Sequence, residues 1–456
     1  MASTYLTNTA GTPTNTKIMT FSVWFKIGTQ TNQQSLISSV EAASGGSYTD
    51  LKIMNAATHN NVFRFECKTT EGNYIDLKFN RSLRDPGAWY HLVISVDTTQ
   101  TTASDRTKIY INGVQETSFA TATYPVQNHN LDFSKSGLVR QIGAYDGGVH
   151  WDGSMSHIHF VDGTAYAAST FGSTDSTTGE WTINTSPSVT YGNNGFFVLK
   201  DGNTITDSSP NSNNFALAAG TLTKIEDCPD NNFITLNPLN AYYTNSTFSN
   251  GNTTFASGSS YSGTTANILL DTGKWYWEVK VISKTGDGDN YAIGIQGQEA
   301  TGTNQFVGGQ LFGYQIYGGN GQIYNNNSGA TYAAAYTAGD IIGVALDLTN
   351  NKLYYSKNGD WSNGSGAWSS STFDAAVGAK TITAPASVTL GGYYPSQTFW
   401  SGSSGTFSMN FGNGYYGTTA VTTNSGNGYA GAEGKSIFSY QPPTNYSALN
   451  TRGLNE

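Results

Sequence analysis

The alternation of apolar and polar side chains is the feature that most constrains how this chain can fold. In VFRFECK (Val62–Lys68), Phe63, Phe65 and Cys67 fall on one side, and charged residues fall on the other. KWYWEVKV (Lys274–Val281) separates two tryptophans and two valines from polar residues in the same way. A period of two predicts strands with one buried face. Because no helical period lasts longer than a turn or two, the sequence predicts an all-β protein.

A repeated phrase indicates two domains of related build. KIYINGVQ (Lys108–Gln115) and KLYYSKNGDW (Lys352–Trp361) each contain Asn-Gly, and each follows an apolar run that ends near an aspartate. Asn-Gly between apolar runs is the strongest short signal for a β-hairpin, because both residues tolerate positive φ. In a chain of 456 residues, the repeat predicts two antiparallel jelly-roll-like β-sandwich domains in series.

Clusters of turn-forming residues predict where the domains meet. DGNTITDSSPNSNNF (Asp201–Phe215) and EDCPDNNF (Glu226–Phe233) are rich in Asp, Asn, Ser and Pro, which favour turns and loops. The predicted domains are therefore residues 1–225 and 226–445, followed by a short polar C-terminal tail at 446–456.

Charge and apolar content exclude several classes of protein. The net charge of −9 argues against a nucleic-acid binder, which needs a basic face. No apolar run approaches the ~18 residues of a membrane span, and the first residues have no secretory signal pattern. Cys67 and Cys228 are too far apart in sequence for a metal-ligand pair. They are predicted to be reduced, as expected for synthesis in a cytoplasm.

Four segments of the first half resemble the laminin-G-like, concanavalin-A-like lectin/glucanase superfamily. They are TFSVWFKIG (Thr20–Gly28), WYHLVISVDTTQTTASDRTKIYINGVQ (Trp89–Gln115), QIGAYDGG (Gln141–Gly148) and HWDGSMSHIHFVDGTAYAASTFG (His150–Gly172). The resemblance implies a β-sandwich whose roles range from sugar binding through glucan hydrolysis to protein docking, so fold alone does not decide the function.

The second half resembles the SPRY domain. The segments that carry this resemblance are GKWYWEVKV (Gly273–Val281), YAIGI (Tyr291–Ile295), GDIIGVALDLTNNKLYYSKNGDW (Gly339–Trp361) and FSMNFG (Phe407–Gly412). With the linking segment NNFITLNPL (Asn231–Leu239), the combination is similar to tailed-phage structural proteins, of the fibre or decoration type.

One glycine-rich loop of the first half gathers residues typical of sugar binding. Tyr145, Asp146, His150, Trp151 and Asp152 lie within eight positions of one another. An aromatic ring can stack on the C–H face of a sugar while carboxylates accept hydrogen bonds from its hydroxyls. These five residues are the candidate carbohydrate site. The alternative is an ordinary turn in which Trp151 anchors the core.

Metal binding has only weak signals. His157 and His159 are two apart on a predicted strand and could ligate a metal together with His150 or Asp152, but the preferred interpretation is that they are solvent-facing strand residues, because no Cys or carboxylate lies at ligand spacing on that strand. GDGDN (Gly286–Asn290) could hold calcium but lacks the later glycine and glutamate of an EF-hand loop. No cofactor is therefore predicted, with calcium left open.

The second half offers an aromatic docking surface. SPRY domains dock partners through loops at one end of the sandwich, and tyrosine supplies contact area at low entropy cost. About half of the candidate rings should pack inward, because a strand buries alternate side chains. The candidate partner-binding residues are Tyr314, Tyr317, Tyr324, Tyr393, Tyr394 and Trp400.

The sequence lacks the catalytic signature of a glucanase. Retaining glucanases of the superfamily carry paired carboxylates as E-x-D-x-E on one strand. Glu71 and Asp76 have the wrong spacing, and Glu278 has no acidic partner two or four residues away. The chain is therefore predicted not to be an enzyme. Two acids facing each other across a groove at roughly 5–9 Å would reverse that prediction in favour of a polysaccharide depolymerase.

The leading hypothesis combines these interpretations. It is a non-enzymatic virion surface protein, a phage tail fibre component or capsid decoration, that binds host-surface glycans. Its expected partners are those glycans, other virion structural proteins and further copies of itself in a homo-oligomer. Its expected location is the virion surface after assembly in the host cytoplasm. The alternative is a purely structural protein–protein cementing module without sugar binding.

Overall fold

Two compact units make up the protein. The computed structural model describes residues 3–28, 32–41, 46–69, 72, 74–202, 204–241, 246–258, 261–286, 290–299, 306–422 and 428–454. One unit comprises Met1–Lys224 and Cys228–Asp230, and the other comprises Ile225–Asp227 and Asn231–Glu456. Regular structure is almost entirely antiparallel β-sheet, so the all-β prediction is confirmed.

The first unit contains sixteen described strands. In chain order they are β1 (Tyr5–Thr9), β2 (Ile18–Ile27), β3 (Gln34–Val40), β4 (Tyr48–Ile53), β5 (Val62–Lys68), β6 (Tyr74–Ser82), β7 (Trp89–Asp97), β8 (Thr107–Ile111), β9 (Val114–Glu116), β10 (Phe119–Thr123), β11 (Val139–Ile142), β12 (Gly153–Asp162), β13 (Gly172–Thr174), β14 (Trp181–Ile183), β15 (Phe196–Val198) and β16 (Ala216–Ala219). A four-residue helix, α1 (Ala56–His59), and two 3-10 turns (Ala103–Asp105 and Ala168–Thr170) interrupt them.

Two sheets face each other in this unit. The eight-stranded sheet has the order β10-β6-β5-β4-β3-β11-β1-β16, and the six-stranded sheet has the order β15-β12-β2-β7-β8-β9. Alternate side chains such as Phe63 and Phe65 from the first sheet, and Leu92 and Ile94 from the second, form the core between them. The period-two pattern of the sequence therefore sets which face of each sheet is buried.

The second unit contains the remaining eighteen described strands. They are β17 (Leu236–Ala241), β18 (Ser246–Ser249), β19 (Thr254–Ser257), β20 (Ser262–Ala266), β21 (Lys274–Thr285), β22 (Tyr291–Gln296), β23 (Gly313–Tyr317), β24 (Ile323–Asn325), β25 (Ser328–Ala330), β26 (Ile341–Asp347), β27 (Lys352–Lys357), β28 (Asp360–Ser362), β29 (Trp368–Ser370), β30 (Lys380–Thr381), β31 (Tyr394–Phe399), β32 (Ser404–Asn410), β33 (Tyr415–Tyr416) and β34 (Thr419–Ala420). Two 3-10 turns (Val307–Gly309 and Pro385–Ser387) and the helix α2 (Thr451–Leu454) complete it.

Two larger sheets also form this unit. A seven-stranded sheet has the order β17-β20-β31-β22-β23-β24-β25. A nine-stranded sheet has the order β18-β19-β32-β21-β26-β27-β28-β29, with β30 paired to β27. Trp277, Val279, Ile293 and Val344 fill the core. Among the described residues, no helix has the length and apolar character needed to cross a membrane.

The end of the chain is integrated into the second unit. Residues 446–450, which the sequence assigns to a polar tail, include the buried Tyr446 and Leu449. Ser447 bridges to Trp275, and Asn450 bridges to Phe233. These backbone contacts fix the segment against the sandwich.

The repeated phrase forms the same hairpin in both units. Asn112 and Asn358 have φ of 48° and 51°, and a glycine at positive φ follows each, as a two-residue primed turn requires. The Asn112 side-chain oxygen accepts a hydrogen bond from the His91 N–H at 2.7 Å, and Asn358 does the same for Ile341 at 2.9 Å. Each turn therefore also holds the strand that comes before the hairpin, β7 in the first unit and β26 in the second, near its beginning.

Candidate binding surfaces

Trp151 lies in the core of the first unit rather than at a free loop tip. Its side chain is 7% exposed, and its ring meets the Phe25 ring edge-on, with 5.6 Å between the centroids. The indole face is thus covered by protein and is not available for stacking on a sugar. Of the two interpretations of this loop, the arrangement matches the one in which Trp151 anchors the core.

The other residues of the predicted carbohydrate loop do not form one site: Asp146 is exposed, and the rest contact different neighbours. Asp146 is exposed at the tip of a tight turn and has a φ of 50°. His150 packs against the Tyr5 ring, with 5.8 Å between the centroids, and the Asp152 backbone N–H donates to the Gln34 side chain at 3.0 Å. Tyr145 points to a different neighbour, because its half-buried ring meets Tyr48 of β4 edge-on at 5.9 Å.

The two strand histidines are buried, so the expectation that they face solvent is wrong. A bulge in β12 gives His157 a φ of 46°. The His159 ring stacks on Phe197 at 3.9 Å and lies 2.9 Å from the Tyr191 hydroxyl. Burial lowers the pKa of His157 to about 4 and that of His159 well below its usual range. Both rings are therefore neutral packing groups near pH 7.

Metal coordination finds no support in the described part of the chain. Among those residues, no group of three or more His, Cys, Asp and Glu side chains is arranged to hold an ion. The possible calcium segment at 286–290 lies mainly outside the described residues, because 287–289 are not among them.

Beside Tyr145, the outer face of the eight-stranded sheet carries a regular array of polar side chains. Strand register places three residues from each of β4, β5 and β6 opposite one another. We call this array the face lattice. Its rows are Tyr48–Lys68–Tyr74, then Asp50–Glu66–Asp76, then Lys52–Arg64–Lys78.

Ion pairs between neighbouring rows hold the face lattice together. The Lys52 ammonium bridges Asp50, at 3.3 Å, and Glu66. The Arg64 guanidinium donates two hydrogen bonds to Asp76, at 2.8 and 2.7 Å, and also contacts Glu66 at 3.0 Å. Like charges lie opposite each other within a row and would repel, whereas the diagonal pairs between rows compensate for that repulsion.

Burial shifts the acid–base properties of this face. Burial raises the pKa of Asp50 to about 6, although Lys52 and the Ser35 hydroxyl act in the opposite direction. Burial and the nearby Glu66 raise the pKa of Tyr48 to about 12, and burial raises that of Tyr145, with Asp50 adding to the shift. The tyrosine hydroxyls therefore remain protonated donors beside the carboxylates.

The acidic row meets part of the criterion for a hydrolase. Residues directly opposite on neighbouring strands have Cβ atoms about 5 Å apart, close to the carboxyl separation of retaining glycosidases. However, Lys52 neutralises both Asp50 and Glu66, and Arg64 engages both Glu66 and Asp76. The three acids are also buried, so the row forms a buried ion-pair network on this face of the sheet.

In the second unit, two of the predicted docking residues belong to the core. Tyr314 and Tyr393 are buried, and their rings meet at 6.1 Å. The Tyr314 hydroxyl forms a hydrogen bond with the Thr383 hydroxyl, and the Tyr393 hydroxyl donates to the Thr383 carbonyl oxygen. Tyr394, the neighbouring candidate, is half-buried at the start of β31.

The other three candidates meet on one surface together with Phe306. Phe306 and Trp400 stack with 4.3 Å between centroids. Tyr317 lies 5.3 Å from Trp400 and 5.7 Å from Tyr324, and Tyr324 lies 5.5 Å from Phe306. The four rings thus form a closed circuit of contacts, and all four are half-buried. We call this set the aromatic cluster. Sequence reasoning missed Phe306, since no strand pattern surrounds it.

Hydrogen bonds orient the cluster. The Tyr317 hydroxyl donates to the Asn290 side-chain oxygen at 2.7 Å, and the Tyr324 hydroxyl donates to the Gln322 side-chain oxygen at 3.1 Å. Beside β24, Leu311 is 52% exposed, and its carbonyl oxygen accepts from the Asn325 side chain at 2.7 Å. The surface therefore combines fixed aromatic rings with an exposed aliphatic group.

Comparison with known proteins identifies both units. Residues 2–169 match the concanavalin A-like lectin/glucanases superfamily, and residues 274–408 match the SPRY domain. The chain therefore carries a concanavalin A-like domain followed by a SPRY domain, which are typically non-catalytic binding folds. Such domains mediate protein–protein or carbohydrate binding. Among solved structures, the SPRY domain of human HERC1 is 17% identical and covers 38% of this chain and 96% of its own, with a TM-score of 0.29.

Curated relatives correct the expected location. Ran-binding protein 9 of Danio rerio is 36% identical over 88 residues, which is 19% of this chain and 14% of that protein. The Ran-binding proteins 9/10 homolog of Drosophila melanogaster is 34% identical over 88 residues, 19% of this chain and 9% of that protein. These relatives are animal proteins, so the predicted location on a virion surface is wrong. Nothing in these matches supports the resemblance to tailed-phage proteins, on which the expectation of virion partners also depended.

Proposed function

We propose that this chain, a concanavalin A-like domain followed by a SPRY domain, is a non-catalytic binding protein whose SPRY domain docks a protein partner on the aromatic cluster. The observation that carries the proposal is the closed circuit of Phe306, Tyr317, Tyr324 and Trp400. Tryptophan and tyrosine dominate the binding energy of protein interfaces. Rings that already hold one another lose little freedom when a partner binds.

The relatives support protein docking as the kind of function. Their names describe them as Ran-binding proteins, and this chain spans about a seventh of the zebrafish protein. Purified Ran is therefore a suitable first probe, while the proposal itself concerns a protein partner at the aromatic cluster. The exposed Leu311 beside β24 extends the apolar area that such a partner would cover.

A photo-crosslinking residue at Leu311 tests the docking surface in the full chain. Irradiation with purified Ran, and separately with a cell extract, should give a discrete protein adduct. Trp400→Ala in the same chain should reduce that adduct at least about tenfold, since it removes a central ring of the interface. The crosslinker at Val114, which is 69% exposed in the first unit, provides the control. Adducts that form equally with and without Trp400 would contradict the proposal.

Glycan binding by the first domain is a second candidate function. It is favoured by the contact between the half-buried rings of Tyr145 and Tyr48, with the exposed Asp146 next to Tyr145 in the sequence. Half-buried aromatic rings next to hydrogen-bond acceptors are the usual groups that recognise sugars. A glycan array probed with the full chain, alone and as a multivalent form, tests this candidate. Multivalent display compensates for weak single sites, so silence in both formats would exclude it for the glycans on the array.

A further inference from the structure

We propose that the partner of the aromatic cluster binds through an extended, uncharged segment that pairs with the free edge of β25 as a further β-strand, and that a large apolar side chain of this segment packs beside Tyr324. This inference rests on the proposed function and names the form of the partner, a linear stretch of peptide rather than a folded surface. Strand addition of this kind obtains its affinity from main-chain hydrogen bonds and its specificity from the places that receive alternate side chains.

β25 presents main-chain groups on the outside of its sheet. In the described part of the chain it is the last strand of the seven-stranded sheet, and all of its residues are exposed. The two-residue turn at 326–327, with φ of 49° and 58°, is a primed turn that makes Asn325 and Ser328 the hydrogen-bonded pair at the end of the hairpin. Because hydrogen-bonded and non-hydrogen-bonded pairs alternate along an antiparallel ladder, the N–H and C=O of Gly329 point away from β24 and toward the free edge.

Gly329 also connects this edge with the aromatic cluster. The Tyr324 ring lies across Gly329, since a Cβ on that glycine would be 2.7 Å from the ring. The two residues are direct register partners on β24 and β25, and Tyr324 contacts Phe306 and Tyr317 within the cluster. A strand added to β25 would therefore place the side chain opposite Gly329 directly beside the Tyr324 ring, because the glycine itself fills no space there.

The segment that forms this edge lacks charge, proline and bulges. Natural edge strands are commonly protected from pairing by charged side chains, especially lysine, by proline or by a bulge. Residues 300–339 contain no Asp, Glu, Lys, Arg, His or Pro, and β24 pairs with β25 in regular register. A charged segment would lose its hydration on this edge without gaining an opposite charge, so the edge suits an uncharged one.

A second copy of the chain fits this edge less well than a partner segment does. β25 has three residues, so strand pairing alone supplies few hydrogen bonds. A second β25 would bring only serine, glycine and alanine side chains to Tyr324. A partner strand with an aromatic or large aliphatic residue opposite Gly329 adds a ring contact and covers more apolar area.

Two lysine substitutions separate pairing at this edge from other effects of a new charge. Ala330→Lys places a charged side chain on the same face of the sheet as the buried Ile323, where an added strand would crowd and desolvate it. Ala218→Lys makes the same change at an exposed residue of β16, which is an edge strand of the first unit, and is the matched control. Both positions are exposed, so the urea midpoints of both variants should equal that of the wild type.

The probe is a displayed library of random linear dodecapeptides, selected on the full chain. The selected peptides should be uncharged and share an aromatic or large aliphatic residue. The most enriched peptide is synthesised unmodified and with each backbone N–H methylated in turn, and fluorescence anisotropy measures its binding. Methylation at alternate positions should weaken binding at least about tenfold, because only every second N–H of an added strand faces β25. Ala330→Lys and Trp400→Ala should also weaken binding, whereas Ala218→Lys should bind like the wild type.

The outcomes that overturn the inference differ from those that overturn the proposed function. Binding that depends on Trp400 but shows no alternation with methylation and no effect of Ala330→Lys overturns strand addition and leaves docking on the rings standing. The same holds if no peptide is enriched but the Trp400-dependent adduct at Leu311 forms, because the partner surface is then folded. Self-association that Ala330→Lys abolishes, with no enriched peptide, assigns the edge to a second copy and also overturns the inference. Absence of both peptide and adduct removes both proposals.

Discussion

Glu278 illustrates how a single residue fixes a covering segment. Its carboxylate is fully buried on the outer face of β21. It accepts hydrogen bonds from the backbone N–H groups of Ser439 and Tyr440, both at 2.9 Å. The Tyr416 and Tyr276 hydroxyls, at 2.5 and 3.2 Å, also donate to it. Burial raises the pKa of this carboxyl group, and the donors offset the cost of burying it.

Removal of this acceptor should destabilise the second unit. Glu278→Ala leaves two buried backbone N–H groups without an acceptor, and we expect a loss of about 3 kcal/mol or more in the free energy of unfolding. Glu278→Gln keeps one carbonyl oxygen and should lose less. Urea titration of the full chain measures both. Glu180→Ala, at an exposed turn, should change stability by no more than about 0.5 kcal/mol. Equal effects at the two sites would contradict this account.

Buried histidines should make the first unit sensitive to acid. His91 accepts a hydrogen bond from the Trp181 indole at 2.9 Å, and burial lowers its pKa to about 3. The pKa of His157 is lowered to about 4, and that of His159 is also lowered. An unfolded histidine titrates near 6.5. The stability that these rings contribute is therefore complete above pH 6.5 and is lost as pH falls toward 4 and 3.

The free energy of unfolding should decrease with a measurable slope as the pH falls. Each histidine contributes about 1.4 kcal/mol per pH unit, whereas Asp50 acts with the opposite sign. Because the pKa of Asp50 is raised to about 6, its contribution is complete below its unfolded pKa and declines as pH rises through 6. Urea midpoints between pH 7 and 4.5 should therefore fall for the wild type, less steeply for His157→Gln and more steeply for Asp50→Asn. A midpoint independent of pH would rule out this explanation.

At the scale of elements, alternation and turn chemistry made most of the fold predictable. The inward sides of strands such as β5 and β21 follow directly from their sequences, as do both Asn-Gly hairpins. Strand pairing could not be inferred, because the rows of the face lattice exist only once β4, β5 and β6 are in register. Trp151 shows the same limit, since a loop pattern does not tell which side chain turns into the core.

The first hairpin allows a matched test of turn geometry. Gly113 has a φ of 78°, and a Cβ there would lie 2.3 Å from the Trp181 ring. Gly137 has a φ of 82° with no atom near its Cβ position. We expect Gly137→Ala to cost about 1 kcal/mol from backbone strain alone. Gly113→Ala should cost clearly more, because Trp181 must move away from His91. Urea titration followed by tryptophan fluorescence measures both, and equal costs would contradict the steric explanation.

At the scale of the whole molecule, two units with separate cores imply two largely independent stabilities. Each unit has its own buried cluster of apolar residues, so the two proposed binding activities reside on separately stabilised scaffolds. The predicted homo-oligomer stays a prediction at this scale. If it forms, it would raise the avidity of both surfaces without any new contact to a ligand.

Calorimetry of the full chain tests this independence. Domains with their own cores unfold as separate cooperative units, so we expect two transitions. Gly113→Ala should lower the melting temperature of one transition, and Glu278→Ala should lower that of the other. Changes at distant sites without shared partners add within about 0.5 kcal/mol, so the double variant should show both shifts unchanged. A single transition that both substitutions lower would mean that the two sandwiches fold as one unit, because loss of either core would then destabilise the other.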